Sequence, residues 1–175
     1  MALIFDLDQT LIDSSMAEPY RHARNWGRVY SCIPFFKIYP GISEALNEIQ
    51  RRNIAFAIVT SSPQAYCDRV LSFFNIRLNH KVCYHDTVRK KPHPEPILLA
   101  IKKLNIPPSN ILSFGDKDID IFASNSANVK SVACLWGADN VEGLIASKPT
   151  YILHSPLEII DLLDTEIVLQ NLISH

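Results

Sequence analysis

Two carboxylates one residue apart close the first apolar run of the chain, Ala2-Leu3-Ile4-Phe5-Asp6-Leu7-Asp8-Gln9-Thr10. The apolar part can sit in a sheet covered on both faces, but ionised carboxylates at its end must meet a cation, a donor or water. In a strand, residues i and i+2 point to the same face, so Asp6 and Asp8 leave the sheet edge as a pair. Such a pair suits a hard divalent ion bound through oxygen, or a split into nucleophile and general acid. A strand end with polar caps is the plainer use of the same residues.

Complementary groups follow the later apolar runs. Ile54–Val59 ends in Thr60-Ser61-Ser62-Pro63, where Ser62 is a good N-cap and Pro63 suits the first helical position. Free N–H groups at such a helix start, with the Thr60 and Ser61 hydroxyls beside them, form a phosphate cradle. In Arg89-Lys90-Lys91-Pro92, Lys91 is placed to give a charge to a phosphoryl oxygen, with Arg89 and Lys90 solvated. Asn110–Phe114 leads into Gly115-Asp116-Lys117-Asp118-Ile119-Asp120. Asp116 and Asp120, four apart at a helix start, share a face, and Gly115 lets the backbone come close. Asp118 is a helix-start acid.

The elements that must carry these groups alternate. Ile42, Ala45, Leu46 and Ile49 mark a helix by their i, i+3, i+4, i+7 spacing. Tyr66, Val70, Phe73 and Phe74 form the apolar stripe of a second helix over Pro63–Phe74, and Ile97, Ala100, Ile101 and Leu104 mark a third. Lys117–Ala127 reads as helix, and Leu157–Leu163 as the last one. Ile54–Val59, Lys81–Tyr84, Asn110–Phe114, Val129–Leu135 and Tyr151–Leu153 read as strands. This rhythm specifies βαβ units and a parallel sheet, hence one doubly wound, Rossmann-like α/β domain over residues 1–175. Ligands bind such sheets outside the carboxyl ends of the strands, where the acids, hydroxyls and lysine all fall.

The whole chain sets the outer bounds. Its 175 residues suffice for one proper core, and a formal net charge of −1 argues against a wholesale nucleic-acid binder. No apolar run approaches the roughly 20 residues of a membrane span. The first residues are already strand, so no signal peptide is expected. Cys32, Cys67, Cys83 and Cys134 are widely spaced and read as reduced core residues of a cytoplasmic protein.

One stretch differs in character. Residues 14–39 hold six of the chain's sixteen aromatics, and Arg21, Arg24, Arg28 and Lys37 against the single acid Glu18. The segment is expected to form one helix, roughly Glu18–Tyr30, then a loop broken by Pro34 and closed by Pro40-Gly41. Packing of its aromatics on the body competes with a second use, a small lid whose arginines meet an anionic substrate. Arg21, His22, Arg24 and Arg28 lie along about two turns of that helix, so not all of them can face one ligand.

Taken together, Asp6-Leu7-Asp8-Gln9-Thr10, the strand ending at Thr60, Lys91-Pro92-His93-Pro94 and Gly115-Asp116-x-x-x-Asp120 resemble the motifs of the haloacid dehalogenase superfamily of phosphohydrolases, in the family's order. Leu135-Trp136-Gly137 and Ser155-Pro156-Leu157-Glu158 are similar to the tail of its phosphoglycolate-phosphatase-like members. The resemblance covers nearly the whole chain. It implies that Asp6 is the nucleophile, forming an aspartyl-phosphate, and that Asp8 protonates the leaving oxygen and then deprotonates water. It also implies Mg²⁺ held by Asp6, the main-chain carbonyl of Asp8 and Asp116, with Asp120 ordering its water shell or contacting Lys91. Thr60, Ser61 and Lys91 would steady the phosphoryl group. An acid at Asp8 favours phosphoryl transfer over dehalogenation.

The departures from that pattern are specific. Gln9 stands where the family usually has glycine, and its side chain could crowd the site or contact substrate. Asn128 replaces a common glycine but tolerates a left-handed turn. Residues 14–39 offer only a stub where relatives commonly carry a much longer cap. An open, poorly sealed site follows, suited to a bulky substrate or to closure by a partner chain. The substrate is expected to be a small-molecule phosphomonoester or a phosphorylated macromolecule end (a nucleic acid only as substrate), with no membrane involved. A receiver-type phosphoacceptor domain and an idle binding protein are the competing readings; the motif order disfavours the first and the intact motifs the second. His80, His85 and His93 read as structural or solvated.

Overall fold

The computed structural model describes residues 1–173. In chain order the regular elements are β1 (Ala2–Phe5), β2 (Ile12–Asp13), α1 (Glu18–His22), α2 (Trp26–Cys32), β3 (Lys37–Ile38), α3 (Ile42–Arg51), β4 (Ala55–Val59) and α4 (Gln64–Phe73). They continue with β5 (His80–Val82), α5 (Glu95–Leu104), β6 (Ile111–Gly115), α6 (Asp118–Ser126), β7 (Lys130–Cys134), α7 (Val141–Ala146), β8 (Tyr151–Leu153) and α8 (Glu158–Ile173). Among the described residues no helix is long and apolar enough to cross a membrane.

Six strands form one parallel sheet in the order β5-β4-β1-β6-β7-β8. Their apolar runs are unbroken because both faces are covered. Leu3, Phe5, Phe56, Ile58, Leu112 and Phe114 point to one face and join the larger core with residues of α3, α4 and α8. Ala2, Ile4, Ala57, Val59 and Ile111 point to the other, against α5 and the C-terminal end of α6. Phe5 stacks on Phe114, ring centroids 4.5 Å apart, and meets Phe56 edge-on. The chain leaves β1 for β4 and β5 on one side, then crosses to β6 on the other. That switch point opens a crevice at the carboxyl end of β1.

The stretch from 14 to 39 departs from the expected single helix. It folds as α1 and α2, broken at Arg24, whose φ of 53° is left-handed. Asn25 then caps α2 by accepting the Arg28 N–H. The antiparallel pair β2–β3, Ile12 opposite Ile38, brings entry and exit of the stretch together. Val29, Ile33 and Phe36 sink into the larger core.

Gln9 neither crowds the crevice nor faces it. It takes the left-handed φ (66°) for which glycine is usual, and its buried amide oxygen accepts the Tyr39 hydroxyl at 3.0 Å. Asn128 is also left-handed, at 58°. The loop behind Asp8 is fastened from beyond the carboxyl end of β7, two strands away: Trp136 Nε1 donates to the Thr10 carbonyl at 2.9 Å. A Cβ on Gly137 would lie 1.7 Å from the Gln9 carbonyl oxygen, so only glycine fits. Gly137→Ala is therefore expected to cost about 2–3 kcal/mol, because backbone rather than a flexible side chain must move. Urea unfolding measures the loss.

Candidate active site

The carboxyl ends of β1, β4 and β6 and the loop before α5 meet at one cavity of about 400 Å³. Asp6, Asp8, Thr60, Ser61, Lys91, Asp116 and Asp120 all line it. From the 14–39 stretch it receives Arg21 and Arg24; Arg28 is exposed and outside it. Beyond the break at Arg24, α2 contributes its first residue, Trp26, to the cavity lining.

Lys91 is the hub. Its ammonium lies 2.6 Å from Asp6 Oδ1 and 2.6 Å from Asp120 Oδ1, and donates to the Val59 carbonyl at 3.0 Å, with its side chain only 4% exposed. Burial alone would push this ammonium down, but Asp120 and Asp6 outweigh it and hold it above its ordinary value. Asp6 itself is pushed up to about 7, first by burial and then by Asp120 and Asp8, with Lys91 opposing. Asp116 is also held well above the usual carboxylate range, by burial and then by Asp6 and Asp120. Lys91 thus pairs with two of three crowded carboxylates, and the cation beside the third, Asp116, is Lys117.

The crowding is eased where sequence permits. Gly115 lets Asp120 turn in, since a Cβ there would sit 2.3 Å from Asp120 Cβ. The second Asp120 oxygen accepts the Lys117 N–H at 3.1 Å, which closes the start of α6. Thr10 donates to Asp116 Oδ1 at 2.8 Å, but Asp116 Oδ2 is buried with no partner. A buried carboxyl oxygen left bare beside two further carboxylates fits a cation, whose charge would offset that crowding. No three His, Cys, Asp or Glu side chains converge as a metal cage among the described residues. Two carboxylates, Asp6 and Asp116, with a main-chain carbonyl would leave the rest of the shell to water, as Mg²⁺ prefers.

Asp8 is bound differently. Its Oδ1 accepts from the Tyr66 hydroxyl at 2.5 Å, the Ser14 hydroxyl at 2.6 Å and Arg21 Nη1 at 3.0 Å, and its Oδ2 accepts from the Ser62 hydroxyl at 2.9 Å. Ser62 is therefore not the N-cap; Pro63 takes that place, and the serine hydroxyl turns to Asp8 instead. Thr60 is buried, and its hydroxyl accepts the Ser62 N–H at 3.0 Å while keeping its own proton to donate. Lys90 is not solvated either: it turns back onto the Tyr84 and Thr87 carbonyls and the Tyr84 ring. Arg89 is exposed and pairs with Glu95.

Several residues at the site carried no signal of their own. Tyr66 was one apolar position of a helical stripe, and only its hydroxyl marked it as different. Thr10 closes the first motif and could have been read from it. Lys117, paired with Glu18 at 3.3 Å, and His85 also line the cavity. His93 is structural, its Nδ1 accepting the Glu95 N–H at 3.1 Å. All four cysteines are free, Cys32 half-buried and the others buried.

The model of the haloacid dehalogenase-like hydrolase family matches residues 20–134, and the chain belongs to that family. It is 31% identical over 128 residues to the pyrophosphatase PpaX of Oceanobacillus iheyensis, covering 72% of this chain and 60% of that relative's length. It is 31% identical over 156 residues to the N-acetylmuramic acid 6-phosphate phosphatase of Pseudomonas aeruginosa, covering 87% of this chain and 69% of that relative. A solved hydrolase from Pseudomonas syringae superposes with a TM-score of 0.79 at 22% identity, over 94% of this chain and 98% of that one, a likeness of fold.

Proposed function

We propose that this chain is a Mg²⁺-dependent phosphomonoester hydrolase that passes the phosphoryl group through Asp6. The observation that carries the reading is the Lys91 bridge between Asp6 and Asp120 beside the unpartnered oxygen of Asp116. A carboxylate cannot approach a phosphate dianion until cations and donors offset their repulsion. Lys91 and the Thr60 hydroxyl, with Ser61 beside them, offer that offset from the protein side. Asp6, Asp116 and the Asp8 carbonyl would hold Mg²⁺, which supplies Lewis-acid stabilisation of the phosphoryl oxygens when bound. Asp6 attacks phosphorus, and Asp8 gives a proton to the leaving oxygen and later takes one from water. Gly115 and Asp120 support the arrangement from behind.

Residues 14–39 act in this reading as a reduced cap on a single domain spanning 1–175. The relatives' names support a small phosphorylated substrate. Arg24 makes no ion pair or side-chain hydrogen bond among the described residues, so it is the stretch's best candidate for substrate selection; Arg21 is already committed to Asp8, and Arg28 lies outside the cavity. The exposed rim is a reason to include phosphorylated macromolecule ends in a substrate screen, and to test closure by a second chain. Free cysteines support a reducing, cytoplasmic setting.

Release of phosphate from p-nitrophenyl phosphate tests the reading. Turnover is expected with Mg²⁺, lost in EDTA and restored by excess Mg²⁺. No turnover under any divalent ion would return the chain to the binding-protein reading.

A pH dependence arises as well. The folded value of Asp6 lies above its ordinary 3.8, so between there and about 7 the folded chain holds more protons than the unfolded one. That contribution is complete below the ordinary value and is lost as pH rises through about 7. Thermal melts in EDTA are therefore expected to fall from about pH 5 to about pH 8, and Mg²⁺ to restore stability most at the higher pH. An equal Mg²⁺ effect at both pH values would contradict it.

A further inference from the structure

The 14–39 stretch does more than lie beside the cavity. Three of the four groups that hold Asp8 belong to it or are braced by it. Ser14 opens it and Arg21 comes from α1. Tyr66 lies on α4, fully buried, with its ring against Trp26 at 6.0 Å and Phe36 at 6.4 Å, both from the stretch. Arg21 Nη1 also contacts the Tyr66 hydroxyl at 3.2 Å and the Ser14 hydroxyl at 2.8 Å, so the three are mutually fixed.

These contacts are unequal in a way that bears on the chemistry. Asp8 Oδ1 is occupied by three donors, whereas Oδ2 has only the Ser62 hydroxyl, which can reverse its own bond. A proton on Asp8 therefore belongs on Oδ2. We propose that Tyr66, locked by the aromatics of the 14–39 stretch and joined by Arg21, is a positioning residue that pins Asp8 Oδ1 so that Oδ2 is aimed at the leaving oxygen. The reduced cap then serves the reaction by orienting the acid, rather than by sealing the cavity.

The proposal rests on the phosphatase reading. In the step concerned, an Asp6 oxygen bonds to phosphorus while the bond from phosphorus to the leaving oxygen breaks. The electron pair stays on that oxygen, and the Asp8 proton moves to it. An alkyl alkoxide needs that proton in the transition state, whereas p-nitrophenolate leaves without it. Misplacing a proton donor by even 1 Å is worth about 10²-fold, within the roughly 10²–10⁴-fold of general acid catalysis.

The experiment compares kcat/KM for a simple alkyl monophosphate and for p-nitrophenyl phosphate in the unaltered chain and in Tyr66→Phe, which keeps the ring. Because kcat/KM stops at the first irreversible step, it covers substrate binding through leaving-group departure and excludes the later hydrolysis of the intermediate. The alkyl ester is expected to lose about 10–100-fold and the aryl ester less than about threefold. Arg21→Gln should show the same pattern. On an Asp8→Asn background, Tyr66→Phe should cost nothing further. The ratio of the two esters does not depend on how much of a variant folds. Parallel loss on both esters, or loss on neither, would overturn the proposal and leave the phosphatase reading standing. Turnover of neither ester by the unaltered chain would overturn both.

Discussion

Asp6→Asn is expected to lower turnover by at least about 10⁴-fold, because in the proposed reaction it removes the attacking oxygen rather than a contributor to binding. Folding should survive and even gain. Asp6 is costly as an anion, pushed up to about 7 chiefly by its burial. The amide removes that cost, and Lys91 keeps Asp120 as its partner at 2.6 Å. The melting temperature at about pH 8 should therefore be unchanged or raised while activity disappears. A variant that loses both would mean that Asp6 is needed for the fold, and the loss of activity would then say nothing about attack.

Lys91→Met should do the reverse to stability. It leaves Asp6, Asp120 and Asp116 crowded together without their buried cation, a loss of about 3–5 kcal/mol. The loss should be larger at about pH 8 than at about pH 5, where protonation of Asp6 relieves the repulsion. Mg²⁺ should recover part of the stability by mass action, but not turnover, because the charge proposed to steady the phosphoryl group is gone. Urea unfolding with and without Mg²⁺, alongside phosphate release, separates the two effects. Equal stability of the variant and the unaltered chain would contradict the hub role of Lys91.

The sheet was legible because both its faces are buried. Ala2–Phe5, Ala55–Val59, Ile111–Gly115 and Lys130–Cys134 need apolar residues on each side, and such runs stand out. Asp6, Thr60 and Asp116 were legible in turn because each stands at the carboxyl end of such a run, and one crevice does bring them together. The parts that escaped have physical reasons. The left-handed residue that splits α1 from α2 is an arginine, and nothing in Ala23-Arg24-Asn25 forbids helix until the backbone is seen. Strands of two residues, β2 and β3, have no period to detect. The short helix α7 depends on Asn140 accepting the Gly143 N–H. Ser62 offers the same hydroxyl to a helix cap or to Asp8, and only the fold decides. Tyr66 supplies an apolar ring to a stripe and a hydroxyl to the site, and periodicity registers only the ring.

Family membership and the Lys91 bridge support phosphoryl transfer, and the central claim is that the transferred group rests on Asp6. Rapid acid quench during turnover of p-nitrophenyl phosphate with Mg²⁺, followed by mass mapping of the peptide containing Asp6, tests it most directly. An acid-stable, base-labile phosphoryl group on Asp6, absent in Asp6→Asn, is the expected result. Turnover with no phosphoryl group at Asp6, or with the group on another side chain, would contradict it.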